Sequence, residues 1–167
     1  MGTDSASAQN VAKAVKKFGV VRVEVQSLQV VNGGKQFLLN YTVFNQSKTK
    51  SVWVAINSAY QHGIVRDSNG YDYVLDVYNS SGIPATAVTR SVAFFGNAPP
   101  GPDKINQAIE IQPGDSIIAT AKFYSEQARL ATAGDCTVQL DVLISNNFNN
   151  GQGDCATKTF SATVTAE

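Results

Sequence analysis

The stretch Val21-Arg22-Val23-Glu24-Val25-Gln26-Ser27-Leu28-Gln29-Val30-Val31, then Asn32-Gly33-Gly34, then Gln36-Phe37-Leu38-Leu39-Asn40-Tyr41-Thr42-Val43-Phe44-Asn45 decides the fold class. Val21, Val23 and Val25 alternate with Arg22, Glu24 and Gln26, the period of a half-buried strand. After Ser27 the phase flips to Leu28 and Val30, which predicts a bulge. Asn32-Gly33-Gly34 supplies residues that tolerate a tight reversal. Beyond it Phe37, Leu39, Tyr41 and Val43 point one way, with Gln36, Asn40 and Thr42 the other. The prediction is a hairpin, 20–31 to 35–45, with those four apolar side chains on the buried face.

The same period runs outward along the chain. Gln46 to Thr49 turns it, and Val52, Val54 and Ile56 form the next apolar face with Trp53 opposite. Ile64 to Arg66 and Tyr71 to Leu75 read as a second hairpin around Asp67-Ser68-Asn69-Gly70, with Asn69-Gly70 expected in a type I′ turn. Residues 79–86 are irregular, and Val88 and Val92 suggest a short strand ending at Phe94-Phe95. Pro99, Pro100 and Pro102 keep the following loop out of a sheet centre. Ile109 and Ile111 lead into a tight turn at Pro113-Gly114-Asp115. Ile117, Ala119, Ala121 and Phe123 then alternate cleanly. Residues 125–134 are a connection with one helical turn expected around Gln127 to Leu130. Val138, Leu140, Val142 and Ile144 make another strand, and Phe160, Ala162 and Val164 the last. Seven to nine strands, each with one wet and one buried face, predict two antiparallel sheets packed as a sandwich, with a barrel as the alternative.

Residues 5–19 carry a different pattern. Val11, Val15 and Phe18 fall at i, i+4 and i+7, Ser5 or Ser7 can cap, Lys13, Lys16 and Lys17 lie toward the C-terminal end, and Gly19 can close it. This predicts a short N-terminal helix, with residues 1–19 as tail and helix and 20–167 as a single β domain.

Composition narrows the function. The 167 residues carry 13 Lys plus Arg against 13 Asp plus Glu, a formal net charge of zero. That balance argues against nucleic acid or another polyanion as partner. Charged residues are only 16% of the chain, so neutral polar groups must wet most of the surface. Val outnumbers Leu by 19 to 7, which favours strands. No apolar run is long enough to span a bilayer as a helix. Met1-Gly2-Thr3-Asp4-Ser5 has no apolar signal core, and Ala6 stands where a myristoylation signal needs Ser or Thr. The polar, Asn-rich composition fits an extracytoplasmic protein, periplasmic, surface-anchored or secreted, and the N-terminus reads as an expression start placed on a mature chain.

Residues 20 to 125 resemble the bacterial immunoglobulin-like domains of the DUF4352 kind, found in secreted proteins and lipoproteins. The resemblance rests on Phe37 to Asn45, a polar turn and Val52-Trp53-Val54. It continues through Val65 to Tyr73 and ends in Ile111-Gln112-Pro113-Gly114-Asp115-Ser116 with the strand ending at Phe123. It implies an all-β, immunoglobulin-like antiparallel β-sandwich and export. Such domains mostly have no assigned activity.

Motifs for catalysis are weak. His62 is the single histidine, and no Gly-x-Ser-x-Gly elbow or phosphate loop accompanies it. Glu24, Glu110, Glu126 and Glu167 are the four glutamates, and Asp67, Asp72, Asp76, Asp115 and Asp141 sit mostly at turns, where Asp is common without any catalytic role. Asp67-x-Asn69-Gly70-x-Asp72 spaces oxygen ligands as a calcium loop would, but a hairpin turn accounts for it, and no metal and no cofactor is expected. Asn40-Tyr41-Thr42, Asn45-Gln46-Ser47 and Asn79-Ser80-Ser81 are glycosylation sequons, which would mark surface in a secreted eukaryotic protein. The aromatic residues are the better clue. Tyr71, Tyr73 and Tyr78 cluster, and one of Phe94 and Phe95 must face outward beside Pro99 and Pro100. Phe94, Phe95, Pro99, Pro100, Tyr71 and Tyr73 are therefore the candidate contact residues. The function expected is a non-enzymatic, exported protein-interaction domain, an accessory or component of a cell-surface assembly. A carbohydrate-binding module using surface tyrosines and a hydrolase are the alternatives.

Cys136 and Cys155 are the two cysteines, an even pair that suggests one disulfide. A simple hairpin of 137–145 with 156–165 would place Cys136 opposite residues near 164 and separate the sulfurs by the strand's length. Bond and hairpin thus exclude each other, and the expectation is the bond with a crossover connection.

Overall fold

The computed structural model describes residues 12–55, 61–84, 92–94, 104–105, 107–145, 153–154 and 156–167. Its strands are β1 (Ala14–Phe18), β2 (Val21–Val31), β3 (Gln36–Asn45), β4 (Val52–Ala55), β5 (Gly63–Arg66), β6 (Asp72–Pro84), β7 (Val92–Phe94), β8 (Lys104–Ile105), β9 (Gln107–Ile111), β10 (Ser116–Tyr124), β11 (Gly134–Ser145), β12 (Gly153–Asp154) and β13 (Ala156–Ala166). The protein is all-β over these residues, apart from one 3₁₀ turn at Asn32–Gly34.

The hairpin read from residues 20–45 is present. β2 and β3 pair antiparallel from Val21↔Asn45 to Val31↔Gln36, and the register shifts between Val25 and Ser27. That shift is the expected bulge: it turns both Val25 and Leu28 inward, each fully buried. Phe37, Leu39, Tyr41 and Val43 line the same core. The connecting turn takes Asn32, Gly33 and Gly34 all to positive φ, which Asn and Gly tolerate best. Pro113-Gly114 also turns as expected, with Gly114 at φ 76° and Asp115 N–H donating to Gln112 O at 3.0 Å.

The expected two-sheet sandwich is corrected: alternation fits sandwich and barrel alike, because both give each strand one wet face, and the structure takes the barrel alternative. The strands in fact form one sheet that closes on itself. The ring runs β2-β3-β10-β6-β5-β11-β13 and returns to β2. The closing contact is parallel, Ala166↔Leu28, fixed by Val30 N–H to Glu167 O at 2.8 Å and Glu167 N–H to Leu28 O at 2.9 Å. β4, β9 and β7 extend from the far end of β11, and β8 pairs with β12.

Four further expectations are corrected. No helix occupies residues 14–18: Ala14 to Phe18 pair with Val25 to Val21 as β1, and residues 1–11 lie outside the described ones. Five ladder positions on the edge of β2 outweigh a thin three-residue helical stripe. No helical turn forms at Gln127 to Leu130, where Ala128 takes φ 56°. The turn Asp67 to Gly70 is not type I′. Among its residues only Gly70 has positive φ, and Gly70 N–H donates back to Asp67 O at 3.0 Å. Finally, β11 and β13 form the simple hairpin, with Cys136 opposite Val164 and Ile144 opposite Ala156. Ala156, the neighbour of Cys155, thus pairs eight residues along the strand from Cys136, about 27 Å at the usual rise. Cys136 is a free, buried thiol donating to Gly134 O at 3.5 Å, and the expected disulfide and crossover are overturned. Burial pushes that thiol up to about 11, with Asp67 and Asp135 adding to the effect.

Two outcomes follow from this core. Leu39→Ala costs about 2–5 kcal/mol in urea denaturation, as large-to-small core changes do. Ile118→Ala, on the wet face of β10, costs under about 0.5 kcal/mol. Tyr41 supplies the second. Burial pushes its hydroxyl from 10.0 to about 12, with the Gln61 side chain opposing weakly. The folded state holds this proton where the unfolded chain has lost it, so deprotonation favours unfolding. Stability is full below pH 10 and drains away as pH rises to about 12, by roughly 2–3 kcal/mol from this group. Denaturation between those limits shows a shallower loss in Tyr41→Phe than in the parent.

Candidate interaction face

Side chains on a strand alternate between faces, so registered neighbours on adjacent strands share a face. On the outside of the ring one such row is Tyr124–Val74–Ile64–Gln139–Ser161, running across β10, β6, β5, β11 and β13. A second row is Asp72–Arg66–Thr137–Thr163. The first row puts apolar groups in water: Tyr124 is 39% and Ile64 37% exposed, with Val74 half-buried between them. Tyr71, 41% exposed, stands beside them.

A hollow of about 380 Å³ opens there, with Ile64, Val74, Tyr71, Glu126, Gln127 and Arg129 among its walls. A smaller one of about 100 Å³ lies on the other side of Ile64, between Arg66, Thr137 and Gln139. The larger is in the size range of small-ligand sites. Arg129 lays its guanidinium 3.8 Å from the Tyr71 ring centroid, and its Nε donates to Gln127 Oε1 at 3.1 Å. Arg66 grips Asp72 with two bonds, 2.7 and 3.1 Å. That guanidinium holds the Asp72 carboxyl below the ordinary carboxylate range.

The shape of this face is set from beneath by Asp67. Its Oδ1 accepts the Asn69 and Tyr71 N–H groups, both at 2.9 Å. Its Oδ2 faces the Tyr73 hydroxyl at 3.3 Å. That hydroxyl also donates to Leu130 O at 3.0 Å, and Ala131 N–H reaches Gly34 O at 2.6 Å. One buried carboxylate therefore ties the 67–71 turn, through Tyr73, to the 125–131 connection. Burial and the Asp67 charge both push the Tyr73 hydroxyl up, so it stays a neutral donor.

The residues singled out in the sequence fare differently. Tyr71 lies on this face. Tyr73 does not: it is fully buried and packs edge-on against Phe37 at 4.8 Å, so it is a core residue and not a contact residue. Phe94 ends β7 opposite Gln107, while its side chain and Phe95, Pro99 and Pro100 lie outside the described residues, as does the side chain of Tyr78. Trp53 is half-buried opposite Glu110. His62 is exposed. Asp67 and Asp72 do not converge on one ion: the first is used by backbone amides and the second by Arg66. Among the described residues no three His, Cys, Asp or Glu come together, and no helix is long and apolar enough to cross a membrane. Sequence reading missed Ile64 and Tyr124 as surface residues.

No family model and no curated protein matches the chain. Among solved structures, AggA, the major subunit of aggregative adherence fimbriae type I from Escherichia coli, is 13% identical with a TM-score of 0.45, over 93% of this chain and 96% of that one. The CooA pilin subunit from enterotoxigenic Escherichia coli is 15% identical with a TM-score of 0.36, over 84% and 88%. A family 123 glycoside hydrolase from Clostridium perfringens is 15% identical with a TM-score of 0.37, over 80% of this chain and 21% of that enzyme. These are distant likenesses among β-rich chains, and no function is carried across from them.

Asp67→Ala leaves the Asn69 and Tyr71 N–H groups without the buried carboxylate that accepts them, while the Tyr73 hydroxyl keeps Leu130 O, and costs about 1–3 kcal/mol in urea denaturation. Asp67→Asn keeps one oxygen for the Asn69 and Tyr71 amides and loses less. Equal losses in the two variants would show that the amide bonds are not what the carboxylate supplies.

Proposed function

We propose that this chain is a non-catalytic, exported interaction domain, an accessory or component of a cell-surface assembly. We further propose that a partner protein docks on the Tyr124–Val74–Ile64 row and the hollow beside Tyr71. One observation carries the reading: contiguous apolar side chains stand exposed on a sheet face whose adjoining loop is pinned by a buried carboxylate. A pre-shaped apolar strip ringed by polar groups is what a protein partner buries at low entropic cost. The polar composition, and turns that resemble those of the immunoglobulin-like DUF4352 kind, support export. A sugar stacking on the face of Tyr71 that Arg129 covers would have to displace its guanidinium. For hydrolysis, Asp72 would have to leave Arg66.

The test is a photo-cross-linking amino acid at position 64 or 124, with position 157 as control, in intact cell envelopes. The expected outcome is one protein adduct from 64 and 124, absent from 157. Unlabelled parent protein competes with it and Ile64→Asp does not. Adducts that the Ile64→Asp protein competes away equally well would remove this face. Binding on a glycan array that is lost in Tyr71→Ala would replace the protein partner by a sugar.

A further inference from the structure

The zero net charge conceals a segregation. Residues 13–50 hold seven basic side chains and one acidic, Glu24. Two of the seven are paired: Lys13 with Glu167 at 2.9 Å, and Arg22 with Glu24 at 3.1 Å. Arg22 also covers the Phe44 ring at 4.4 Å. Lys35 lies in the Asn32–Gln36 turn at one end of the ring. The other four, Lys16, Lys17, Lys48 and Lys50, gather toward the opposite end. There Gln46 N–H donates to Val20 O at 2.7 Å and joins the β1–β2 turn to the 46–51 loop. All four are exposed and make no ion pair among the described residues.

The loop that carries two of them is built, not loose. Buried Asn45 donates through Nδ2 to Lys50 O at 2.7 Å and Ile111 O at 2.9 Å, and accepts Ser47 N–H at 3.0 Å. Ser47 Oγ then accepts Thr49 and Lys50 N–H at 3.3 and 3.0 Å. The facing carboxylates are few. Glu24 sits against Arg22, and Asp115 takes the Ser116 N–H at 2.7 Å and has a further partner.

We propose that this end binds an acidic polysaccharide chain, through charge and without stacking on the tyrosines. Fixed ammonium groups attract a polyanion and release its counterions on contact. Lys16 and Lys17 are consecutive in a strand and leave it on opposite faces. A flexible chain can wrap both, whereas a flat bilayer meets one. Val15 and Val20, 52% and 43% exposed, are the exposed apolar side chains here, and two valines are a thin anchor for a membrane. Of the rings here, Phe44 is covered by Arg22 and Phe18 packs against the core, so neither is an open platform for a nucleic-acid base. This surface lies across the ring from Ile64, so it stands or falls independently of the partner face.

Binding to polygalacturonate is measured by calorimetry, with neutral dextran, phosphatidylglycerol-containing vesicles and duplex DNA as comparisons. The expected result is binding to polygalacturonate and none to dextran. Raising NaCl from about 50 to about 200 mM weakens it by roughly ten- to fifty-fold, the loss for about four counterions released from a flexible polyanion. The double variants K16Q/K17Q and K48Q/K50Q each weaken it about tenfold or more with unchanged melting, and K35Q leaves it intact. Equal loss in K35Q, salt-independent binding, tighter binding to vesicles or DNA, or a low-salt dimer without polymer would each overturn the proposal.

Discussion

The ring depends on one short contact. β13 runs as the partner of β11 along its whole length and touches β2 only at its last residues, where the two bonds of Glu167 with Leu28 and Val30 close the circle. A closed sheet has no open edge where it closes, and its interior must then be filled by inward side chains. That filling is what the buried set of Val21, Val25, Leu28, Phe37, Leu39, Phe123, Leu140 and Phe160 does. Below the closing contact β13 leaves β2, and β1 takes the vacated edge from Val25 to Val21. Lys16, opposite Val23 on this edge strand, is exposed. A charged lysine on an edge strand discourages further strand addition.

Alternation, the bulge and the glycine turns were legible because each is local. Val25 and Leu28 are three residues apart, and their common burial follows from a phase flip visible in the sequence. The sandwich was not distinguishable from the barrel for the opposite reason. Closure is a single contact between Leu28 and Ala166, which no local period encodes. The N-terminal misreading has the same root. Val11, Val15 and Phe18 fit a helix in isolation, but residues 14–18 are not isolated, and the unpaired edge of β2 offers them a ladder. The cysteines are instructive differently. The geometry of the hairpin alternative placed Cys136 against residue 164 correctly. An even cysteine count points to a bond, but the Asn-Gly turn signal between two alternating strands prevails in the β11–β13 hairpin.

The contact face was half legible. Tyr71 stands out because it follows Asn69-Gly70 in a turn. Ile64 and Tyr124 do not, since each sits in a strand that reads as one more β segment, and their adjacency with Val74 spans sixty residues of sequence. Tyr73 was misplaced because two residues of separation in a strand return a side chain to the same face only if the strand has begun. Tyr71 lies before β6 starts at Asp72, so Tyr71 and Tyr73 do not share a face.

The two ends of the ring are organised by one buried polar residue each, and the chemistry of each residue matches what its loop presents. At the β5–β6 end the turn presents N–H groups, those of Asn69 and Tyr71, and a hydroxyl, so an acceptor-only carboxylate, Asp67, sits among them. At the other end the chain presents the carbonyls of Lys50 and Ile111, and the amide of Asn45 donates to both while its oxygen takes Ser47 N–H. Exchanging the two residues would set a carboxylate against two carbonyls at one end, and an amide NH₂ against amide donors at the other. This matching also explains why Asn45-Gln46-Ser47 misleads as a sequon. The triplet reads as surface, but its asparagine is 1% exposed and is committed to three backbone bonds. The same Asn and Ser that make a glycosylation signal in sequence make, in this fold, the clamp that holds Lys48 and Lys50 at the end of the ring.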